Sequence, residues 1–380
     1  MSRKYKIAVS GIVCALLMCL AACTAKENKM KPLYPEKLAD YLYYMELEDY
    51  SFSAMPQSES PLFTGGCSSI RKGNLYGRNL DLSYCEIPEF IVRVKAAPGR
   101  FASIGVCADP TITCVVGEMT EAELLAMPNV TNDGINENGV IISENVVDAT
   151  GVDDMSGTAP GKEKIHSSRV VRYLLDRAES AEHAVELMEE LDIVGGFSGS
   201  GLHWMIADEN DTYIVEIING QLAVSKNEQF YMTNFYLNYG PVQKEQIVAG
   251  VAFEDLPLLT DQAIGVERWC LLRDGYDALS TAEDVAGLLE SVAVTGLYDR
   301  TKQPIRYSEC IGNGLTIHDD TTDFEAELDS QIRLFETRDR ANPQGDWITW
   351  HSSVYDIENR TLCVYSQEDY SVSYRYQLKE

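Results

Sequence analysis

The order of strand-like and helical segments is the feature that most constrains the fold of this chain. Apolar runs predict strands at Leu75–Leu82, Phe90–Val94, Gly139–Val147, Leu202–Ala207, Thr212–Ile218, Phe230–Asn234, Trp347–Asp356 and Arg360–Ser366. Apolar residues at helical spacing predict helices at Ser167–Leu191, Asp261–Ala278 and Thr281–Ser291. Strands early, helices in the middle and strands late predict an α+β sandwich of layered sheets and helices.

The first 23 residues have the features of an export signal. Arg3, Lys4 and Lys6 precede an apolar run over Ile7–Ala22, which is followed by Cys23. The end of this run, Leu-Ala-Ala-Cys, resembles the bacterial lipobox, which predicts a lipoprotein-type signal peptide over residues 1–23 and lipid attachment at Cys23. We therefore expect an exported cell-surface lipoprotein anchored to the membrane. An uncut signal anchor and plain secretion are the alternatives.

Residues 24–66 are expected to form a tether and pro-segment ahead of a catalytic domain over residues 67–380. Within the segment, Leu38–Leu47 is predicted to be a short amphipathic helix, and Met55–Pro61 a loop. The segment also carries tyrosines suited to burial: Tyr43, Tyr44 and Tyr50. After a cut at its end we expect the segment to stay docked as a small subunit. Release of the catalytic domain is the alternative.

Charge and cysteine spacing exclude several classes of partner. The formal net charge of −28 would repel nucleic acid, so no nucleic-acid partner is expected. Of the ten cysteines, three lie in the predicted signal and seven follow it, none of the seven in a Cys-x-x-Cys pair, so no zinc site is predicted. Outside the cytosol some can form disulfides, and the odd number leaves at least one free thiol.

The sequence Gly65-Gly66-Cys67 contains the strongest candidate nucleophile. The bond after two glycines is sterically open, and cutting it would leave Cys67 with a free α-amine. Such an amine titrates at about 7.7–8.0, so it can act as a general base beside its own thiol without a histidine. We therefore predict processing between Gly66 and Cys67, which gives an N-terminal cysteine nucleophile.

Other interpretations of the nucleophile are open. Cys67 can instead be a buried or disulfide-bonded cysteine. Ser198, in Gly-Phe-Ser-Gly-Ser, lacks the last glycine of the Gly-x-Ser-x-Gly elbow and is interpreted as part of a glycine-rich loop. A Cys–His hydrolase without processing would need His203 or His351 beside Cys67 in the fold.

Arg78 and Asp81 follow the cysteine on a predicted strand. They stand three residues apart, so they point to opposite faces unless a bend or bulge intervenes. One interpretation is an exposed turn with a weak surface ion pair. In the other, Arg78 stabilises the thiolate of Cys67 and Asp81 accepts a hydrogen bond from its α-ammonium group.

Five motifs stand in order over residues 67–356. They are Cys67-Ser68-Ser69 with Gly77-Arg78-Asn79-Leu80-Asp81, Asp133–Val140 (DGINENGV), Leu202–Asp208 (LHWMIAD), Met232-Thr233-Asn234 and Ser353–Asp356 (SVYD). Together they resemble the motifs of the choloylglycine hydrolase and penicillin V acylase family. The resemblance implies an α+β fold of the N-terminal-nucleophile hydrolase type, a four-layer αββα sandwich.

The resemblance also implies roles for site residues. Cys67 matches the nucleophile, and Arg78 and Asp81 match the residues that hold its thiolate and α-amine. Asn145 matches the position whose backbone N–H helps to form the oxyanion hole. Asn234 matches the asparagine whose side-chain amide is the other donor.

The resemblance implies one more site residue, and the chain differs from the family pattern in two ways. Arg268, in Glu-Arg-Trp, resembles the family's late active-site arginine. More than 40 residues separate the predicted signal from Cys67, and the stretch between Cys67 and Arg78 is short. The second departure is expected to alter the substrate pocket.

These observations predict an amidase that hydrolyses linear, non-peptide C–N bonds through an acyl-enzyme, with no metal or organic cofactor implied. The expected partner is a small-molecule amide of the conjugated bile salt, penicillin V or N-acyl amine type. An acyltransferase of the same fold and a non-catalytic surface lipoprotein that binds a ligand are the alternatives. The sequence leaves homo-oligomer formation open.

Overall fold

The computed structural model of the chain describes residues 34–56, 65–83, 88–108, 116–148, 157, 159–195, 200–228, 230–238, 265–295, 298–299, 347–366 and 369–378. The described residues from Pro35 onward belong to one compact unit, Pro35–Glu380. The predicted signal peptide, Cys23, Ser198 and most of the predicted loop over Met55–Pro61 lie outside the described residues. None of the described helices is long and apolar enough to span a membrane.

Nine of the described strands form the first sheet. Their order is β1 (Glu36–Ala39), β2 (Leu42–Leu47), β5 (Glu89–Val94), β6 (Ser103–Ala108), β7 (Thr131–Asn136), β8 (Ile141–Asp148), β11 (Ser200–Ala207), β12 (Thr212–Ile218) and β13 (Gln221–Lys226). The neighbours are antiparallel except for β2 and β5, which are parallel. Because successive residues point to opposite faces, Met205 packs toward the second sheet while Trp204 and Ile206 pack toward helices.

The second sheet carries the candidate nucleophile. Its order is β14 (Tyr231–Met232), β3 (Gly65–Lys72), β4 (Leu75–Ser83) and β17 (Trp347–Asp356), after which β17 pairs with β15 (Val294–Thr295) and β18 (Thr361–Ser366). β15 pairs with β16 (Tyr298–Asp299), and β18 pairs with β19 (Asp369–Gln377), both antiparallel. A separate parallel pair is formed by β9 (Glu163–His166) and β10 (Leu191–Val194).

Five α-helices lie in the described part of the chain: α1 (Glu121–Ala126), α2 (Val170–Arg177), α3 (Ala181–Glu189), α4 (Val266–Gly275) and α5 (Ala282–Ser291). Local chemistry sets their starts, because the side chains of Ser180 and Thr281 accept the orphan N–H groups at the first turns of α3 and α5. Helices α2 and α3 pack on the first sheet, and α4 and α5 on the second. Apolar side chains fill the space between the sheets.

These layers confirm the predicted αββα sandwich. The predicted strands are present, although Phe230–Asn234 shortens to β14. The helical region Ser167–Leu191 divides into α2 and α3, and Asp261–Ala278 reduces to α4 and a 3₁₀ turn at Tyr276–Ala278, with 261–264 outside the described residues. Nine described strands outside the β1–β2 segment are not among the expected strands: β3, β6, β7, β9, β10, β13, β15, β16 and β19.

The helix predicted over Leu38–Leu47 is wrong, because these residues form the β1–β2 hairpin. The turn places Tyr41 at a φ of 63°, a left-handed conformation that ends a helical path. Strand β2 then pairs with β5, while Tyr43 stacks on Phe90 and Tyr44 on Tyr376. Pairing with residues far along the chain therefore outweighs the local helical pattern.

Candidate active site

Cys67 lies in strand β3, between the two sheets. It stands opposite Leu80 of β4, and Ser69 stands opposite Arg78. Opposed residues share one face of a sheet, so these side chains point toward the first sheet. The Cys67 side chain is 1% exposed, and strand β3 runs unbroken from Gly66 into Cys67, whose backbone N–H donates to Asn234 Oδ1 at 2.9 Å.

Arg78 contacts the Cys67 sulfur from strand β4. Its Nη2 lies 3.5 Å from Sγ and also donates to the Glu144 carbonyl at 2.8 Å. Its Nη1 donates to Asp133 Oδ2 at 2.8 Å. The guanidinium group is buried and anchored on both arms, so its charge acts on the sulfur with little screening by water.

Asp81 lies on the other face of β4, as the three-residue spacing predicts. Opposite it, the register of β17 shifts at Trp350, so that Thr349 pairs with Asp81 while His351 pairs with the preceding residue of β4. The Thr349 hydroxyl donates to Asp81 Oδ1 at 2.7 Å. The bulge thereby places Thr349 and His351, two residues apart, on opposite faces of the sheet.

Arg268 reaches the nucleophile from helix α4. Its Nη1 donates to the Cys67 carbonyl at 2.7 Å and to Ser68 Oγ at 3.1 Å, and lies 3.2 Å from Asp81 Oδ2. Its Nη2 donates to Asn234 Oδ1 at 2.6 Å. One side chain therefore joins the main chain at Cys67 to both Asp81 and Asn234.

Asn145 and Val146 of strand β8 contact the site differently. The Asn145 amide is buried, accepts from Ser69 Oγ at 3.0 Å, and donates to the carbonyls of Met232 and Thr233. The backbone N–H directed at the Cys67 sulfur belongs to Val146. The Val146 carbonyl in turn accepts from Asn234 Nδ2 at 2.6 Å. The structure thus brings together all six predicted site residues. Asn145 lies one residue before the N–H that faces the sulfur, and its own side chain contacts Ser69 and the segment that carries Asn234.

The charges around Cys67 oppose one another. Burial raises the pKa of the Cys67 thiol and Asp81 adds to this, while Arg78, the Val146 amide and Arg268 lower it. Burial also raises the pKa of Asp81, against the effects of Arg268 and Thr349. In the continuous chain the thiol is neutral on balance, so it needs a base before it can attack.

A buried polar cluster behind Arg78 was not expected from the sequence. His351 Nδ1 lies 2.6 Å from Glu89 Oε1, and its Nε2 lies 3.1 Å from Asp133 Oδ2. The Tyr355 hydroxyl donates to Asp133 Oδ1. Burial lowers the pKa of His351, but Glu89 and Asp133 outweigh it and raise that pKa to about 9. Against burial, Arg78 and His351 lower the pKa of Asp133 to about 2.

Glu144 is a second unexpected ionisable residue near Arg78. Burial raises the pKa of Glu144 to about 7, with Arg78 opposing in part. Its Oε2 has no hydrogen-bond partner among the described residues. Sequence signals exist for two members of these groups, since Asp133 opens the DGINENGV motif and Glu144 precedes Asn145. Glu89 and His351 carry no local signal.

Neither histidine of the Cys–His interpretation is oriented toward Cys67. His351 places both ring nitrogens against carboxylates. His203 places Nε2 at 2.8 Å from the Thr233 carbonyl and Nδ1 at 3.4 Å from Glu216 Oε1. Glu216 also accepts from the backbone N–H groups of Leu237 and Asn238, so this pair braces the segment that carries Asn234.

Among the described residues, no group of three or more His, Cys, Asp or Glu side chains is arranged to hold a metal ion. The described cysteines, Cys67, Cys107, Cys270 and Cys363, are free thiols. The site chemistry available from this part of the chain is therefore a thiol, two arginines, carboxylates and amide donors.

Comparison with known proteins agrees with this geometry. Residues 67–238 match the family model of linear amide C–N hydrolases, choloylglycine hydrolase family. A mutant of the conjugated bile acid hydrolase from Clostridium perfringens is similar in structure, with a TM-score of 0.51, 15% identity, and coverage of 82% of this chain and 92% of that one. Penicillin V acylase from Agrobacterium tumefaciens has a TM-score of 0.37 and 17% identity over 80% of this chain and 76% of that one.

The first structural similarity supports a shared fold, and the second adds nothing to it at that score. No curated protein shows significant similarity to the chain. Residues 67–238 thus match the choloylglycine hydrolase family, and the chain is a hydrolase acting on linear amide carbon–nitrogen bonds.

Proposed function

We propose that the protein is a cysteine N-terminal-nucleophile amidase in which Cys67 attacks the substrate. The observation that carries this proposal is the convergence of Arg78, the Val146 amide and Arg268 on a cysteine that follows two glycines. The family match also begins at Cys67 itself. After processing, Cys67 would have a free α-amine, which can serve as the general base that the buried thiol does not have in the continuous chain.

The reaction would begin with proton transfer from the Cys67 thiol to its own α-amine. The thiolate, opposite the Arg78 guanidinium, attacks the amide carbonyl, and the α-ammonium group returns the proton to the leaving amine as the C–N bond breaks. The resulting thioester is hydrolysed by water, which the α-amine deprotonates. The contacts of Arg268 with Asp81, Asn234 and the Cys67 carbonyl would keep the amine in place.

Two donors can stabilise the tetrahedral oxyanion. The Val146 N–H already faces the sulfur, and the Asn234 amide lies beside it, hydrogen bonded to the Val146 carbonyl. Losing one such donor typically costs about 100–1,000-fold in rate. Asn145 would act by fixing this part of β8 against Ser69 and the segment that carries Asn234.

The reaction and the family match support a linear amide as the proposed substrate class. A conjugated bile salt, a penicillin V-like amide or another N-acyl amine has the linear amide that this chemistry requires, and the structural neighbour that shares the fold is a conjugated bile acid hydrolase. The test is hydrolysis of glycine- and taurine-conjugated bile salts, penicillin V and N-acyl amines by the wild type, Cys67→Ala and Cys67→Ser. Hydrolysis by Cys67→Ala at the wild-type rate would overturn the nucleophile assignment.

We propose further that the segment before Cys67 stays bound after processing and carries the lipid anchor at Cys23. Strands β1 and β2 extend the first sheet, and the Tyr50 hydroxyl donates to the buried Asp176. Arg100 donates to Asp49 and to the carbonyls of Glu48 and Tyr50. We expect both polypeptides to co-elute in size exclusion and Cys23→Ser to leave the membrane fraction. Elution of the catalytic part alone would contradict retention.

A further inference from the structure

We propose that His351 is a positioning residue for the amidase reaction, holding the Arg78 guanidinium against the Cys67 sulfur through Asp133. The carboxylate oxygen that joins them is Asp133 Oδ2, which accepts from Arg78 Nη1 at 2.8 Å and lies 3.1 Å from His351 Nε2. This inference rests on the proposed role of Cys67 as the nucleophile.

The hydrogen-bond geometry assigns a charge to His351. Both ring nitrogens face carboxylate oxygens, Glu89 Oε1 at 2.6 Å and Asp133 Oδ2 at 3.1 Å. An ionised carboxylate only accepts hydrogen bonds, so while Glu89 and Asp133 are ionised both nitrogens carry protons and the ring is an imidazolium. Burial raises the pKa of Glu89, and the charge and hydrogen bond of His351 oppose this rise. The two carboxylates outweigh burial in raising the pKa of His351, in agreement with that state.

With Glu144 protonated, as it is below its raised pKa of about 7, the cluster around Arg78 is electrically balanced only while His351 is charged. Arg78 and His351 are matched by Asp133 and Glu89, and all four side chains are at most 1% exposed. A neutral side chain at position 351 would leave one uncompensated negative charge behind Arg78. That charge would disfavour a thiolate at Cys67, because interactions in a buried site are weakly screened.

The register shift in strand β17 directs the His351 side chain toward Asp133. Without the register shift at Trp350, residues 349 and 351 would share one face of β17. With it, Thr349 reaches Asp81 on the helix side and His351 reaches Asp133 between the sheets. β-Bulges commonly re-aim a side chain next to an active site.

Asp133 is held at its second oxygen as well. Tyr355, four residues after His351 on β17, donates its hydroxyl to Asp133 Oδ1. Arg78 Nη1 and His351 Nε2 lie 3.5 Å apart and both contact Asp133 Oδ2. The positions of both cations therefore depend on the position of this oxygen. Removing either partner of Asp133 should therefore let Arg78 move off the sulfur.

The test compares processed wild type, His351→Gln, Tyr355→Phe and the control His183→Gln, whose histidine lies in the helix α3. The pH dependence of kcat/KM is measured with the best substrate of the amide panel. We expect His351→Gln to lower kcat/KM at least about tenfold at pH 7 and to move the acidic limb upward by about one pH unit, since one unit corresponds to a tenfold change. KM should change little, and His183→Gln should match the wild type.

The outcomes separate this inference from the proposed function. Activity retained by Cys67→Ala would defeat the proposed function and this inference with it. If Cys67→Ala is inactive while His351→Gln has the kcat/KM of the wild type and the same acidic limb in its pH profile, only the role of His351 is overturned. If His351→Gln does not fold, Tyr355→Phe decides. We expect it to lower kcat/KM about threefold or more, with a limb shift in the same direction, and an unchanged profile would refute the proposal.

Discussion

Replacing Asn234 with alanine is the substitution whose effect on catalysis the structure defines best. The side chain is 2% exposed and makes three hydrogen bonds. Its Oδ1 accepts from the Cys67 N–H at 2.9 Å and from Arg268 Nη2 at 2.6 Å, while its Nδ2 donates to the Val146 carbonyl at 2.6 Å. Alanine removes all three and also the proposed oxyanion donor.

The expected loss can be worked out from these contacts. Removing one oxyanion donor lowers kcat by about 100–1,000-fold, or about 3–4 kcal/mol. KM should change much less, because the donor is used in the transition state rather than in substrate binding. Arg268 also loses an acceptor in a buried site, so the free energy of unfolding should fall by about 1–3 kcal/mol.

The assay is steady-state kinetics on processed molecules, with the processed fraction measured by intact mass. Asn238→Ala is the matched control, because Asn238 lies on the same segment, is exposed, and bonds to Glu216 and Ser225. We expect Asn238→Ala to change kcat by less than about threefold. A kcat for Asn234→Ala within tenfold of the wild type would refute the assignment of Asn234 as an oxyanion donor.

Three further substitutions test the surrounding structure by urea unfolding. Tyr50→Phe deprives the buried Asp176 of a donor and should cost about 1–3 kcal/mol; an unchanged midpoint would contradict this. The folded-state pKa of Glu144 is raised to about 7, so the wild type loses folding stability as the pH rises from about 4 to 7. The free energy of unfolding of Glu144→Gln, relative to that of the wild type, should therefore increase by on the order of 1–3 kcal/mol between pH 4 and pH 8. A difference that stays constant with pH would contradict this. Gly105→Ala would place its Cβ 2.4 Å from the Asp133 carbonyl oxygen and should cost about 1–3 kcal/mol while lowering kcat/KM; wild-type values of both would exclude the clash.

Much of the fold is predictable because both faces of its inner strands are buried. Continuous apolar runs such as Leu202–Ala207 and the helical spacing in Ser167–Leu191 mark elements whose packing agrees with their local pattern. Leu38–Leu47 is one exception, since its pairing partner β5 begins at Glu89, far along the chain; the inner strands β3, β6 and β7 are not among the predicted strands either. Strand β19 does alternate polar and aromatic residues over Asp369–Gln377, a usable signal for a strand.

The site is predictable where its residues are close in sequence or carry a motif. Cys67, Arg78 and Asp81 fall on two adjacent strands, and their spacing alone places Arg78 and Asp81 on opposite faces. The Asp133–His351 contact joins residues 218 positions apart and depends on a bulge that no local pattern announces. Long-range pairing of this kind is outside the reach of spacing arguments.

Processing before Cys67 is the claim on which the proposed mechanism depends. The direct measurement is the intact mass and N-terminal sequence of the purified wild type beside Cys67→Ala. We expect a wild-type chain that starts at Cys67, together with a polypeptide that ends at Gly66, and an uncut variant. A wild-type chain that keeps residues before Cys67 under all expression conditions would contradict it, because the thiol would then lack its base.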